Sequence, residues 1–185
     1  MRIAGTYSEA ELVEGCQRED PKWQRLLYQQ YYRLMFGVCL RYTDNRDDAQ
    51  DILQEGFVKA FRNIRHFRSE GSFEGWLRRI MIHACIEHYR RKSRYFMVDI
   101  EEARQVGFEA DALAALSRDE ILGLIRELPP GYRTVFNLYA VEGYSHQEIS
   151  EMLNISVGTS KSQLARAKKV LQDRITILRY QAGNG

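Results

Sequence analysis

Tyr144–Leu171 reads YSHQEISEMLNISVGTSKSQLARAKKVL, and this stretch decides the fold. Ser145 stands three residues before Glu148, the spacing of a capping box that opens a helix. Ile149 and Leu153 then lie one turn apart on an inner face. Asn154-Ile155-Ser156 makes a tight turn, and Ser156 is placed to cap the next helix. In that second helix Val157, Ser160, Leu164, Ala167 and Leu171 recur at steps of three, four, three and four, which is helical spacing. These small and apolar positions pack inward. Thr159, Lys161, Ser162, Gln163 and Arg166 are left on the outer and flanking faces. A short helix, a tight turn and a second helix with polar side chains near its start make a helix-turn-helix.

A helix fits the major groove of duplex DNA, where Lys and Arg donate to guanine and Gln pairs with adenine. Ser and Thr hydroxyls suit phosphates or base edges. The competing reading is a plain helical hairpin with a basic surface, but the capped turn, short first helix and basic second helix coincide here. Upstream, a helix from about Leu113 ends at Leu128 before Pro129-Pro130, and Tyr132–Glu142 carries a further apolar face.

The first half is helical too. Leu27, Tyr31, Leu34, Val38 and Tyr42 recur at steps of four, three, four and four. Asp44-Asn45-Arg46-Asp47 reads as a turn that starts a helix bearing Ala49, Ile52, Leu53, Phe57, Ala60 and Phe61 on one face. A third helix runs from about Phe73 to Arg91. Periodicity fades after Tyr95, so the chain reads as all-α, with domains at 1–95 and 113–185 joined by a flexible linker, 96–112. These 17 residues reach at most ~60 Å when extended.

With 185 residues, 44% apolar and 28% charged, the chain has an ordinary globular composition. The net charge of +2 conceals blocks: nine basic against three acidic residues over Phe61–Arg94, three against eight over Asp99–Glu127, six against one over Ser160–Arg179. Two basic segments separated by an acidic one suggest two polyanion-binding faces. The bland alternative is solvated helix faces. Cys16, Cys39 and Cys85 form no CxxC pair and fit reduced thiols. No apolar signal or spanning segment is visible, so the expected location is cytoplasmic, without membrane insertion.

Asp47–Arg91 has its own character. Its first helix sets an acidic and amide face (Asp47, Asp48, Asp51, Gln54, Glu55) against an apolar one. Beyond it Phe61, Phe67, Phe73, Trp76 and Tyr89 interleave with Arg62, Arg65, Arg68, Arg78, Arg79, Arg90 and Arg91. Aromatics that stack bases beside cations that track phosphates suit single-stranded nucleic acid. Taken one by one, most of these aromatics read as core, above all Phe57, Phe61 and Trp76.

In these segments the chain resembles the extracytoplasmic-function (ECF) sigma factors, short bacterial transcription initiation subunits. DAxDxxQExFxKAF is matched at Asp48–Phe61 and WLxxI at Trp76–Ile80, followed by arginines at Arg90–Arg94. LPPGYRTVFNLYxxEGYSHxEIxxxLxISxGTxKSxxxRAKxxL spans Leu128–Leu171. The resemblance implies that Asp48, Asp51, Gln54 and Glu55 dock on the clamp of the largest subunit of RNA polymerase core. It further implies that Arg68, Phe73, Trp76, Arg78, Arg79, Arg90 and Arg91 serve the promoter −10 element, with an extruded base held in the loop Arg68–Phe73. The −35 element would be read through Lys161, Ser162 and Arg166, with Thr159 and Gln163 near the backbone. An anti-sigma factor is the further partner that the resemblance implies. Four positions depart from the usual pattern: His83, Glu87, Ser160 and Gln163. Ser160, replacing a frequent Val, is expected to weaken packing of the recognition helix slightly.

Two rival readings arise from the residues. One is a stand-alone helix-turn-helix regulator, which leaves the acidic helix unexplained. The other is a metal-dependent hydrolase at His83, Glu87 and His88, but two histidines five apart on a helix point ~140° away from each other. No phosphate loop and no GxSxG elbow occur. No cofactor, metal or catalytic residue is expected; the chain acts by binding and positioning.

Overall fold

The computed structural model describes residues 7–93 and 117–183, and the described residues form helices and turns without a strand. The expected linker, 96–112, lies outside them. The chain divides into two compact units, one built on residues 1–40 and 45–88, the other on 41–44 and 89–185.

The first unit opens with α1 (Glu9–Gln17), a helix not anticipated from the sequence. Ser8 caps it: Glu11 N–H donates to the Ser8 hydroxyl, and Ser8 N–H donates back to the Glu11 carboxylate at 2.7 Å. Proline opens α2 (Pro21–Leu40), and its fixed φ suits a first turn. The core face of α2 is Leu27, Tyr31, Met35, Val38 and Cys39; Leu34, read as inward, is 39% exposed because Met35 takes the inward position after Tyr31. Asn45 caps α3 (Arg46–Asn63), accepting from Asp48 N–H at 2.7 Å, with Asp47 and Asp48 at the positive end of the helix. A 3₁₀ turn, Ile64–His66, leads to α4 (Phe73–Ser93), whose residues from 89 on fall in the second unit. Phe73, Leu77, Met81, Ile82 and Cys85 form its buried stripe. Each such large apolar side chain contributes ~1.5–3 kcal/mol on full burial. Cys16, Cys39 and Cys85 are buried and form no disulfide among the described residues, and burial pushes Cys16 up to about 11.

The second unit starts with α5 (Arg118–Arg126), opened by a Ser117–Glu120 capping box. Pro129-Pro130 begin α6 (Pro130–Phe136) rather than merely ending its predecessor. The buried Arg133 donates to the Arg126 carbonyl at 2.7 Å, satisfying an end of α5. α6 widens into a π turn, Asn137–Val141. Then come α7 (His146–Leu153) and α8 (Val157–Gly183).

Candidate functional site

The helix-turn-helix is built as the spacing requires. Ser145 N–H donates to the Glu148 carboxylate at 2.8 Å, and Glu148 N–H donates to the Ser145 hydroxyl. These bonds hold the Glu148 carboxyl below the ordinary carboxylate range. α7 ends at Asn154 in the left-handed region (φ 55°), a conformation asparagine tolerates better than most residues. Ser156 then accepts from Thr159 N–H at 2.9 Å and starts α8. Ile149 and Leu153 of α7 and Leu164, Ala167 and Leu171 of α8 are buried.

Of the residues assigned to duplex reading, Lys161 is exposed, while Thr159, Ser162 and Arg166 are half-buried. Ser162 donates to the Thr159 carbonyl at 3.0 Å, and the Arg166 guanidinium donates to the Tyr132 hydroxyl at 3.3 Å. Gln163 is a correction. It is 8% exposed, its amide lies where a side chain on Gly131 would meet it at 3.3 Å, and its Oε1 meets no hydrogen-bond partner among the described residues. It is not on the outer face. Ser160 is fully buried, and its hydroxyl has a partner there: His146 Nδ1 lies 2.9 Å from Ser160 Oγ. The His146 ring stacks on Tyr139 with centroids 4.5 Å apart and 21° between planes. Burial first, then Lys161 and Lys168, push His146 below its ordinary value. His146 was not foreseen as part of the site; a polar residue on the inner stripe of α8 was the available signal.

In the first unit Asp51 and Gln54 are exposed on α3, and Asp48 and Glu55 are half-buried. Asp48 accepts from the Asn45 amide at 3.0 Å and lies 3.6 Å from His88 Nε2. The loop before α4 holds exposed Arg68, with Ser69 at φ 57° and Gly71 at φ 145°. Phe73 is the second correction. It is fully buried, its ring 5.4 Å from Tyr31 and 5.3 Å from both Phe67 and Trp76, and its backbone N–H donates to Glu9. A ring so enclosed cannot stack an extruded base. Phe67 and Trp76, packed on it and half-buried, are the aromatics with accessible surface in this cluster. Arg78 is half-buried on α4; Arg79, Arg90 and Arg91 are exposed.

The residues considered for metal are engaged separately: Glu87 pairs with Lys59, His88 faces Asp48, and His83 is exposed. No group of three or more His, Cys, Asp or Glu that could hold a metal occurs among the described residues. No helix among the described residues is long and apolar enough to cross a membrane.

The sigma-70 region 2 family model matches residues 27–95, and the sigma-70 region 4 model matches residues 118–171. The RNA polymerase sigma-H factor of Pseudomonas aeruginosa is 32% identical over 94% of this chain and 97% of its own length. The ECF RNA polymerase sigma-E factor of Haemophilus influenzae is 29% identical over 94% of this chain and 98% of its own. The chain belongs to the ECF sigma factors. SigW of Bacillus subtilis, another ECF factor, is 32% identical over 78% of the chain and 84% of its length. The sigma factor RpoE of Bartonella quintana, solved in complex with the anti-sigma factor NepR, shares the fold at 18% identity and TM-score 0.50, over 83% of this chain and 96% of that one. An ECF sigma factor serves transcription initiation, in a family of transcription regulators rather than of catalysts.

Proposed function

We propose that this ECF sigma factor binds RNA polymerase core through α3 and selects promoters with both units. Asp48, Asp51, Gln54 and Glu55 dock on the clamp of the largest subunit. The domain of residues 1–95 reads and helps melt the −10 element, with Arg68, Arg78, Arg79, Arg90 and Arg91 on the backbone and Trp76, rather than Phe73, beside the bases. The domain of residues 113–185 reads the −35 element as duplex, and 96–112 spans the distance between them. Two sites about two helical turns apart, roughly 70 Å, suit a linker reach of ~60 Å once the widths of the domains are added. Strand opening needs no catalytic residue, since stabilising unstacked bases offsets a cost of a few kcal/mol.

The observation that carries this reading is the capped helix-turn-helix in which α8 presents Lys161 to solvent beside Thr159, Ser162 and Arg166. An anti-sigma factor is the regulator proposed on the analogy of the Bartonella quintana complex, and the place of action is the cytoplasm.

The test is binding of the purified protein to sigma-free core polymerase, followed by run-off transcription from genomic fragments. Stable binding with new transcripts is the expected outcome. Replacing Asp51 and Glu55 together by Lys should abolish assembly with core while far-UV helicity is kept; normal assembly would overturn the docking surface. A folded protein that binds DNA but not core would instead be a stand-alone regulator.

A further inference from the structure

Apolar side chains of α7 and α8 are buried in the second unit. Ile149 and Leu153 of α7 and Leu164 and Ala167 of α8 are buried, and burial of this kind is non-directional. It favours contact more than it fixes how far α8 is turned about its own axis, which directional bonds such as that of Arg166 to Tyr132 farther along α8 restrict. That angle matters for reading DNA. Side-chain tips lie about 5–6 Å from a helix axis, so a turn of ~20° displaces them by about 2 Å. A hydrogen bond to a base edge does not survive such a displacement.

At the start of α8 a directional interaction crosses the two helices. Ser160, fully buried and directly before Lys161, bonds His146 at 2.9 Å. His146 is the first residue of α7, and its ring is held from the other side by Tyr139 of the π turn. Three successive elements of the second unit therefore meet at this ring. We propose that His146 and Ser160 form a polar clasp that sets the rotation of α8 on α7 and so positions Lys161, Ser162 and Arg166 on duplex DNA. The inference rests on the −35 reading given above. Both are positioning residues: Ser160 is sealed from solvent and His146 acts through it.

The clasp is tested in holoenzyme made from the full chain and core polymerase, on a promoter duplex obtained from the run-off experiment and on its single-base −35 variants. His146→Phe keeps a ring against Tyr139 but removes Nδ1, and Ser160→Ala removes only the hydroxyl. Each should weaken promoter binding by about five- to tenfold, the worth of one hydrogen bond, and flatten discrimination among −35 variants, with assembly on core unchanged. The double variant should be no worse than the poorer single, because both remove the same bond. His146→Asn places an amide near the position of Nδ1 and should bring affinity back to within about twofold of the parent. Unchanged affinity and discrimination in Ser160→Ala overturns the proposal, and that variant decides even where His146→Phe fails to fold. Equal losses in His146→Asn and His146→Phe also overturn it, since ring packing would then be what matters. Indifference of the parent holoenzyme to −35 substitutions is a different failure, that of the −35 reading itself.

Discussion

Gly56 and Gly37 both sit inside helices of the first unit, yet the same substitution should act on them in opposite directions. A Cβ on Gly56 of α3 would lie 2.2 Å from Met81 Sδ and 3.0 Å from its Cε. Ordinary contact is about 3.5–4.0 Å, so the sulfur of Met81 must retreat by about 1.5 Å. Met81 is fully buried in α4 and has no solvent to swing into. Overpacking of this kind costs ~1–3 kcal/mol, against ~0.8–1.0 kcal/mol gained from the higher helix propensity of alanine. Gly56→Ala should therefore destabilise the unit by about 1 kcal/mol. At Gly37 of α2 a Cβ meets nothing within 4 Å, and only the gain remains. For a unit of this size 1 kcal/mol moves the midpoint by about 4–8 °C. Amide hydrogen exchange within α3 and α4 of the full chain reads the effect without assuming that both units unfold together. Protection should fall in Gly56→Ala and rise in Gly37→Ala. Equal shifts in one direction would refute the reasoning, because propensity and not Met81 would then govern both sites.

Lys161→Ala should weaken −35 duplex binding by ~1–3 kcal/mol for a base contact, and by less for a phosphate contact, with the thermal midpoint unmoved; unchanged affinity in a titration would show that the reading face is elsewhere. Gln163→Met replaces a buried, partly unpartnered amide by an apolar chain of similar length. Discrimination among −35 variants should be unchanged, and stability equal or higher by up to ~1–2 kcal/mol in urea unfolding. His146 is held below its ordinary value of 6.5, so just under that pH the unfolded chain binds more protons than the folded one. The second unit should keep its stability above about pH 6.5 and lose it as pH falls through that window, a slope that His146→Asn removes from unfolding curves taken between about pH 5 and 7.5. The groups facing this ring are Tyr139, Lys161, Lys168 and Ser160.

Much of the fold was legible because its helices announce themselves locally. Ser145 with Glu148, and Ser156 with Thr159, make in space the bonds that their spacing implies. The same signal stood at Ser8 and Glu11, where α1 went unread although the capping box was present in the sequence. The π turn at Asn137–Val141 is different. Nothing in NLYAV separates it from an ordinary helical continuation. The widened turn is closed by Glu142 N–H on the Asn137 carbonyl and Tyr144 N–H on the Leu138 carbonyl, bonds that depend on where the following turn leads the chain.

At Gln163 and Phe73, helical spacing and not chemical type sets where the side chain lies. On α8, Gln163 lies three residues after Ser160 and four before Ala167, which puts it about 40° from Ala167 around the helix axis. That is the i, i+3, i+4, i+7 stripe of an inward face, and Gln163 is buried as position dictates. Phe73 likewise stands four residues before Leu77 and eight before Met81, at core spacing on α4, however well an aromatic beside arginines suits a nucleic acid. Applied consistently, the same geometry groups Thr159, Ser162 and Arg166 at steps of three and four on another face, with Lys161 about 100° from Ser162. Ser160 is the converse case. A serine on the inner stripe needs a partner inside the protein, and the side chain that meets it is His146, across the turn. Spacing decides which side of a helix a residue occupies; only afterwards does its chemistry decide whether it reads a ligand or must be satisfied from within.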